Sequence, residues 1–261
     1  LEQMGMDYLV LEQAPALTEV GAGIQLSPNG VRILECLGLA DDLARFGVQP
    51  GGHQLKDWKT GETVLETPLR AVVNDTFGAR YYHAHRADLI SALSTRLNPD
   101  RLRLNSKVVS VSQTDSKVSV TLADGSTESG DILIAADGIH SAIRNQVFNP
   151  EAPRRSGYVA WRGMVPAEKV AHLNIEKQST AVMGPRLSIV FYYVSGGAKL
   201  NWIAIGAGDS EIQESWSQGA SKADVQKSFE GWYDHPKRMV DLTEELFVTA
   251  LHDRENLPTW T

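Results

Sequence analysis

The sequence predicts a mixed α/β (α+β) protein in two parts: a first part, residues 1–155, in which buried strands alternate with helices, and a second, residues 156–261, on a mainly antiparallel sheet. Three observations carry this. Tyr8-Leu9-Val10-Leu11 is an apolar run that ends on the acidic Glu12. Asp131-Ile132-Leu133-Ile134-Ala135-Ala136 is a second such run, broken at Asp137-Gly138 into a helix. From Tyr158 onward the strands lengthen and are divided by Gly-Gly and Gly-Asp turns.

The elements follow in order. Leu1 to Gly5 has the composition of a helix tail. Tyr8 to Leu11 suits a buried parallel strand whose carboxyl end meets a ligand crevice, which singles out Glu12. Val20 to Leu26 is a glycine-spaced loop, and Ser27-Pro28-Asn29 opens a helix through Val31, Leu34 and Leu37 that stops at Gly38. Leu55 to Trp58 and Thr63 to Leu65 form a hairpin around Lys59-Thr60-Gly61-Glu62, an insertion near residues 50–80 that contributes to the second part. Tyr81 to Arg86 is strand-like, and Asp88 is a candidate cap for a helix over 89–97 that Pro99 ends. Val108 to Val111 and Val118 to Leu122 alternate on period two, Asp124-Gly125 turns, and a helix runs from Ser141 to Val147. In the second part the strands are Tyr158 to Val165, Ile189 to Val194 and Trp202 to Ala207. Val225, Phe229 and Trp232 give the helix 222–232 a buried stripe.

With 25 basic and 32 acidic side chains the net charge is −7, which disfavours nucleic acid or anionic membrane as partner. Cys36, the single cysteine, cannot form an internal disulfide and is expected as a small buried hydrophobe among Leu34, Leu37 and Leu39. The absence of a long apolar run or a basic-then-apolar leader gives the expectation of a soluble cytoplasmic protein. A first residue that falls mid-helix, and Leu257-Pro258-Thr259-Trp260-Thr261 stopping at a turn, suggest a chain truncated at both ends. The seven histidines show no metal-ligand spacing, and neither a Gly-x-Ser-x-Gly elbow nor an activating partner for Cys36 supports a hydrolase.

Asp137-Gly138-Ile139-His140-Ser141-Ala142-Ile143-Arg144 is the most specific signal. Glycine lets backbone approach a ligand, helix-start N–H groups suit a pyrophosphate, and an aspartate there accepts from ribityl or ribose hydroxyls or orders water. Asp-Gly alone would be a turn and Ser141 alone an N-cap. The full spacing, Asp-Gly, two positions, Ser, two positions, Arg, resembles the Asp-Gly motif of the FAD-dependent aromatic-ring hydroxylases, flavoprotein monooxygenases of the salicylate hydroxylase type. Leu9-Val10-Leu11-Glu12-Gln13, His85-Arg86-Ala87-Asp88-Leu89 and Ser156 to Gly163 resemble further family segments in the family's order.

The resemblance implies an incomplete FAD/NAD(P)-binding nucleotide fold of the glutathione-reductase and aromatic-hydroxylase type. It implies cofactor contacts from Glu12 and Gln13 to the adenosine ribose, Arg86 to the flavin phosphate and ribityl region, Val108 to adenine, and Asp137 and Gly138, with Glu12, Arg86 and Asp137 converging on one elongated groove. Gly21 to Asn29 is similar to the family loop beside the flavin ring, which would let Gln25 face the substrate. Tyr192 and Tyr193 are substrate-side candidates, because no histidine stands in the segment 186–193 where several relatives carry one that takes the ring-hydroxyl proton. The catalytic residues are otherwise unassigned. The family's Gly-x-Gly-x-x-Gly loop and Gly-Asp motif are absent from these 261 residues, so little or no FAD is expected to stay on the chain as given. The implied full-length activity hydroxylates a small hydroxylated or carboxylated aromatic with tightly bound FAD, NADH or NADPH and dioxygen, as a monomer or homodimer. A flavin-dependent epoxidase or reductase on the same scaffold, or a flavin-free fragment, stays open.

Overall fold

A computed structural model describes residues 1–17, 22–148, 151–208, 219–254, 256, 257 and 259. Val20 and Gly21 of the glycine-spaced loop, and Pro258, Trp260 and Thr261 of the closing turn, lie outside the described residues. Contacts divide the chain into two compact units: residues 1–17, 97–156 and 252–261 form one, 18–96 and 157–251 the other. One crossing between the units falls between Ser156 and Gly157, and residues 18–96 group with 157–251 because their strands pair there.

The larger unit holds a seven-stranded sheet in the order Leu246–Asp253, Arg154–Pro166, Lys199–Ala207, Leu187–Val194, Ser179–Gly184, Gly52–Asp57, Thr63–Pro68. From Arg154–Pro166 to Thr63–Pro68 the pairing is antiparallel, except where Ser179–Gly184 runs parallel to Gly52–Asp57. The hairpin near 50–80 is therefore part of this sheet.

Period-two alternation splits its side chains between two faces. Val182, Ile189, Phe191, Tyr193, Leu200, Trp202 and Ala204 point one way and pack on Val225, Phe229 and Trp232 and on Met239 and Val240 of the helix Asp234–Leu242. Buried Trp202 also needs a polar partner: its indole N–H donates to Thr243 Oγ1 at 2.9 Å, and that hydroxyl donates to the Met239 carbonyl at 2.7 Å. The opposite face carries His53, Leu55, Ser179, Ala181, Val190, Tyr192 and Asn201.

A second apolar cluster joins the helices Pro28–Cys36, Ala40–Phe46 and Arg86–Ser94 to the antiparallel pair Gly23–Leu26 and Tyr82–His85. Gly38 takes φ 82°, the left-handed turn expected after the first helix. Two expectations are corrected here. Cys36 is exposed, because five residues beyond buried Val31 it has turned to the helix's outer side. Asp88 does not cap: the helix begins at Arg86 after His85, and Asp88 lies in its first turn, accepting from Ser195 Oγ at 2.8 Å.

The smaller unit contains a three-stranded sheet, Val108–Gln113, Val118–Leu122 and Thr127–Gly130, and the helix Ala142–Phe148, tied on by Gln146 bonding both backbone groups of Val111. Asp124-Gly125 turns with Gly125 at φ 86°. The helix tail expected at the start is a 3-10 turn, Glu2–Met4. The two expected buried strands are corrected. The first is parallel but covers just Val10–Leu11, paired with Leu102–Arg103, and Leu9 and Val10 are 42% and 36% exposed. Residues 131–136 form no strand; Ile132 and Ile134 are 80% and 73% exposed. A buried parallel strand needs hydrogen-bonded neighbours and cover on both faces, and no strand pairs with this run among the described residues. No helix among the described residues is long and apolar enough to cross a membrane.

Candidate functional site

In the smaller unit the Asp137 to Arg144 segment sorts into residues that build the loop and residues that it presents. Buried Ser141 accepts the Arg144 N–H at 2.9 Å through Oγ, capping the helix. Arg144 reaches back, donating to the Gly138 carbonyl at 3.0 Å and to the Ile139 carbonyl, which also accepts from Arg254 Nε at 2.8 Å. Asp137 and Gly138 are exposed on this clamped loop. Gly138 has φ 81°, a conformation L side chains rarely adopt, and open space where a Cβ would stand. Among the described residues the Asp137 carboxylate accepts from the Ile143 N–H, a long bond at 3.4 Å that leaves acceptor capacity for ligand hydroxyls.

Glu12 closes its short strand with both backbone groups engaged, N–H to the Arg103 carbonyl at 3.0 Å and carbonyl to the Ser106 N–H at 2.8 Å. Its Oε1 accepts from the Ala14 N–H at 2.8 Å, which orients the carboxylate and leaves Oε2 to accept from a diol. Gln13 beside it is exposed, and half-buried Val108 opens its strand opposite Leu122.

Arg86 belongs to the larger unit. Its N–H donates to the Ala22 carbonyl at 3.0 Å, fixing the helix start to the glycine loop. Burial holds Arg162 below the usual arginine range, and the charge of Arg86 adds to that.

Beside this loop, one face of the large sheet forms the floor of a cavity of about 300 Å³. Register explains its lining: His53 pairs with Thr67 and Ser179, Leu55 with Leu65 and Ala181, and Ala181 with Val190, so all share a face. Gln25 crosses the cavity, accepting from Tyr81 O–H at 2.7 Å and donating to Ser179 Oγ at 3.0 Å. Gly23 sits so close to the sheet that a Cβ would lie 2.6 Å from Asn201 Cγ and 2.8 Å from Tyr192 Cε2; its N–H donates to Asn201 Oδ1 at 2.7 Å. A smaller cavity of about 180 Å³, with Arg70 and Arg80 at its edge, also has Tyr81 in its wall.

Four rings run in a row, His53 on Tyr81 at 5.5 Å, Tyr81 on His83 at 5.8 Å, and His83 on Tyr192 at 4.2 Å. Burial, with His53 adding, pushes the pKa of His83 down to about 3, so its ring is neutral at physiological pH. Burial pushes the Tyr192 hydroxyl up, with Tyr81 adding, so it keeps its proton. Of the two expected tyrosines, Tyr192 stands on the cavity's face and Tyr193 in the apolar core on the other. Sequence reasoning did not single out His53, Tyr81, His83, Ser179 or Asn201 for the substrate side. For His53 the usable signal was its period-two spacing from Leu55; nothing local marks the rest. No cluster able to hold a metal ion occurs among the described residues.

The sequence profile of the FAD binding domain family matches residues 1–227. The chain is 35% identical over 255 residues to 3-amino-4-hydroxybenzoate 2-monooxygenase of Streptomyces cremeus, covering 98% of this chain and 63% of that protein. It is 30% identical to 6-hydroxynicotinate 3-monooxygenase of Bordetella bronchiseptica, covering all of this chain and 68% of that protein. Its fold is similar to that of a variant of Klebsiella pneumoniae HpxO complexed with FAD, with a TM-score of 0.85 and 28% identity over 98% of this chain and 65% of that one. The chain thus spans about two thirds of the length of these relatives.

Proposed function

The chain belongs to the FAD binding domain family, and from that premise we propose that it binds FAD and substrate in a flavin-dependent monooxygenase that hydroxylates a small hydroxylated or carboxylated aromatic ring. NADH or NADPH and dioxygen would be consumed, in the cytoplasm. The observation that carries the reading is the clamped loop that presents Asp137 and Gly138, in a chain that also holds an aromatic-sized cavity with an apolar floor and a hydrogen-bonded wall.

The residues present fit the cofactor. Glu12 and Asp137 retain carboxylate oxygens able to accept from ribose or ribityl hydroxyls, Gly138 has no side chain to obstruct a ligand, and Arg86 offers a planar fork of donors to phosphate. Gln13 and Val108 would complete the adenosine contacts. Bound FAD supplies the activation of dioxygen. The chain's own residues bind and orient the ring: Leu55, Ala181 and Val190 against one of its faces, the Gln25 amide and Ser179 hydroxyl against its polar substituents.

The test is NADH and NADPH oxidation by the full-length protein against 3-amino-4-hydroxybenzoate, 6-hydroxynicotinate, 3-hydroxybenzoate and salicylate. At least one is expected to stimulate oxidation and to be recovered with one added oxygen. Oxidation stimulated by none of them would move the assignment to an epoxidase or reductase on the same scaffold.

A further inference from the structure

We propose that the smaller cavity, outside the sheet-floored substrate chamber, is a second binding site that takes a small aromatic carboxylate through Arg70 and Arg80. Backbone bonds tie its walls together. Leu69 N–H donates to the Gly51 carbonyl at 3.0 Å, Val73 N–H to the Leu69 carbonyl at 2.8 Å, and Val48 N–H to the His83 carbonyl at 2.8 Å, so the segments that bear the lining residues are held in place. Pro50, Leu69 and Val73 make the walls apolar and Tyr81 adds an aromatic ring, which suits a flat apolar body. The volume of about 180 Å³ suits a single ring, since a cavity of about 150 Å³ holds benzene.

Charge at the cavity's edge selects the substituent. Arg70 donates to the Gln49 carbonyl at 2.7 Å, which fixes one arm of its fork and leaves its other N–H groups to donate. Arg80 approaches the hydroxyl of buried Tyr82 at 3.5 Å and the Gln49 amide approaches the same hydroxyl at 3.4 Å, so both guanidiniums attach to one framework. Neither forms an ion pair with a carboxylate among the described residues; Glu35 acts on Arg80 through space alone. In a chain of net charge −7 this is a local positive edge, and planar guanidinium forks match the paired oxygens of a carboxylate. Burial holds the Tyr81 hydroxyl above its ordinary range, so it keeps its proton and sets no negative charge against the anion. That hydroxyl donates to Gln25 Oε1 at 2.7 Å, and Gln25 lines the chamber, so one side chain links the two cavities. The site goes beyond the hydroxylase reading, and binding there needs no turnover.

The experiment measures benzoate binding to the full-length protein by calorimetry, in wild type, Arg70→Gln, Arg80→Gln and the double variant, with urea midpoints to verify folding. Each single change is expected to weaken one site about 10-fold, the low end for a charge-assisted bond because both arginines are exposed. The double variant should bind one benzoate fewer than wild type. An equal number of sites at equal affinity in all four proteins would overturn the proposal. Wild type alone gives a second readout: excess benzamide, uncharged and of the same shape, should leave the arginine-dependent benzoate bound. Displacement of all the benzoate would overturn the proposal even if no variant folded. Turnover separates the two sources of the ligand. If it is the substrate on its way to the chamber, the preference in kcat/KM for 3-hydroxybenzoate over 3-hydroxybenzamide falls about 10-fold in the double variant; a lost benzoate with that preference unchanged assigns the site to a separate effector acid. Arginine-dependent benzoate binding in a protein that hydroxylates no aromatic acid would overturn the parent reading and leave this site standing.

Discussion

Trp202→Ala is expected to lower the stability of the larger unit by about 3–5 kcal/mol, the range for truncating a fully buried aromatic. Trp202 has no exposed surface and lies at the centre of the sheet's apolar face among Phe191, Leu200 and Ala204. Its neighbour across the strand pair is Gly163, where a Cβ would fall 2.9 Å from the indole, so the cavity left behind has no side chain from that strand to fill it. The Thr243 hydroxyl would also lose its donor while keeping its bond to Met239. Because domains are stable by only about 5–15 kcal/mol, the loss is a large fraction of the whole. Urea unfolding would measure it, with Met183→Ala, 63% exposed, as a control expected to move the midpoint little. Equal effects from the two substitutions would contradict the core as described.

Arg144→Ala is expected to weaken FAD binding by about 1.5–3 kcal/mol, roughly 10- to 140-fold in Kd. The side chain holds the Gly138 and Ile139 carbonyls in place, so its removal frees the turn that presents Asp137. Lysine should not rescue, since one ammonium group cannot reproduce the fork that spans two carbonyls. Global stability should change little, because the loop is exposed. Titration of the flavin-stripped full-length protein with FAD would measure this; a Kd equal to wild type would remove Arg144 from the cofactor loop's support.

What could be read from the sequence was whatever local spacing dictates. The Asp137 to Arg144 spacing, the helix opened by Ser27-Pro28, the Asp124-Gly125 turn and the strands from Tyr158 onward all express rules that act within a few residues. Gly23 and Arg86 were legible as members of motifs, although their bonds to Asn201 and Ala22 were not. Residues 131–136 misled because an apolar run signals burial but cannot state whether neighbouring strands are present to pair with it. The chamber escaped because it is made by register: His53 meets Ser179 across 126 residues, through a parallel pairing that no local pattern announces. Cys36 was misjudged from apolar neighbours in sequence, where helical phase decides the side.

The most direct measurement of the account is the visible absorption spectrum of the full-length protein purified without added flavin. Stoichiometric FAD is expected in wild type and strongly reduced FAD in Asp137→Ala and Arg86→Ala. A colourless wild-type protein that also fails to take up added FAD would contradict the account.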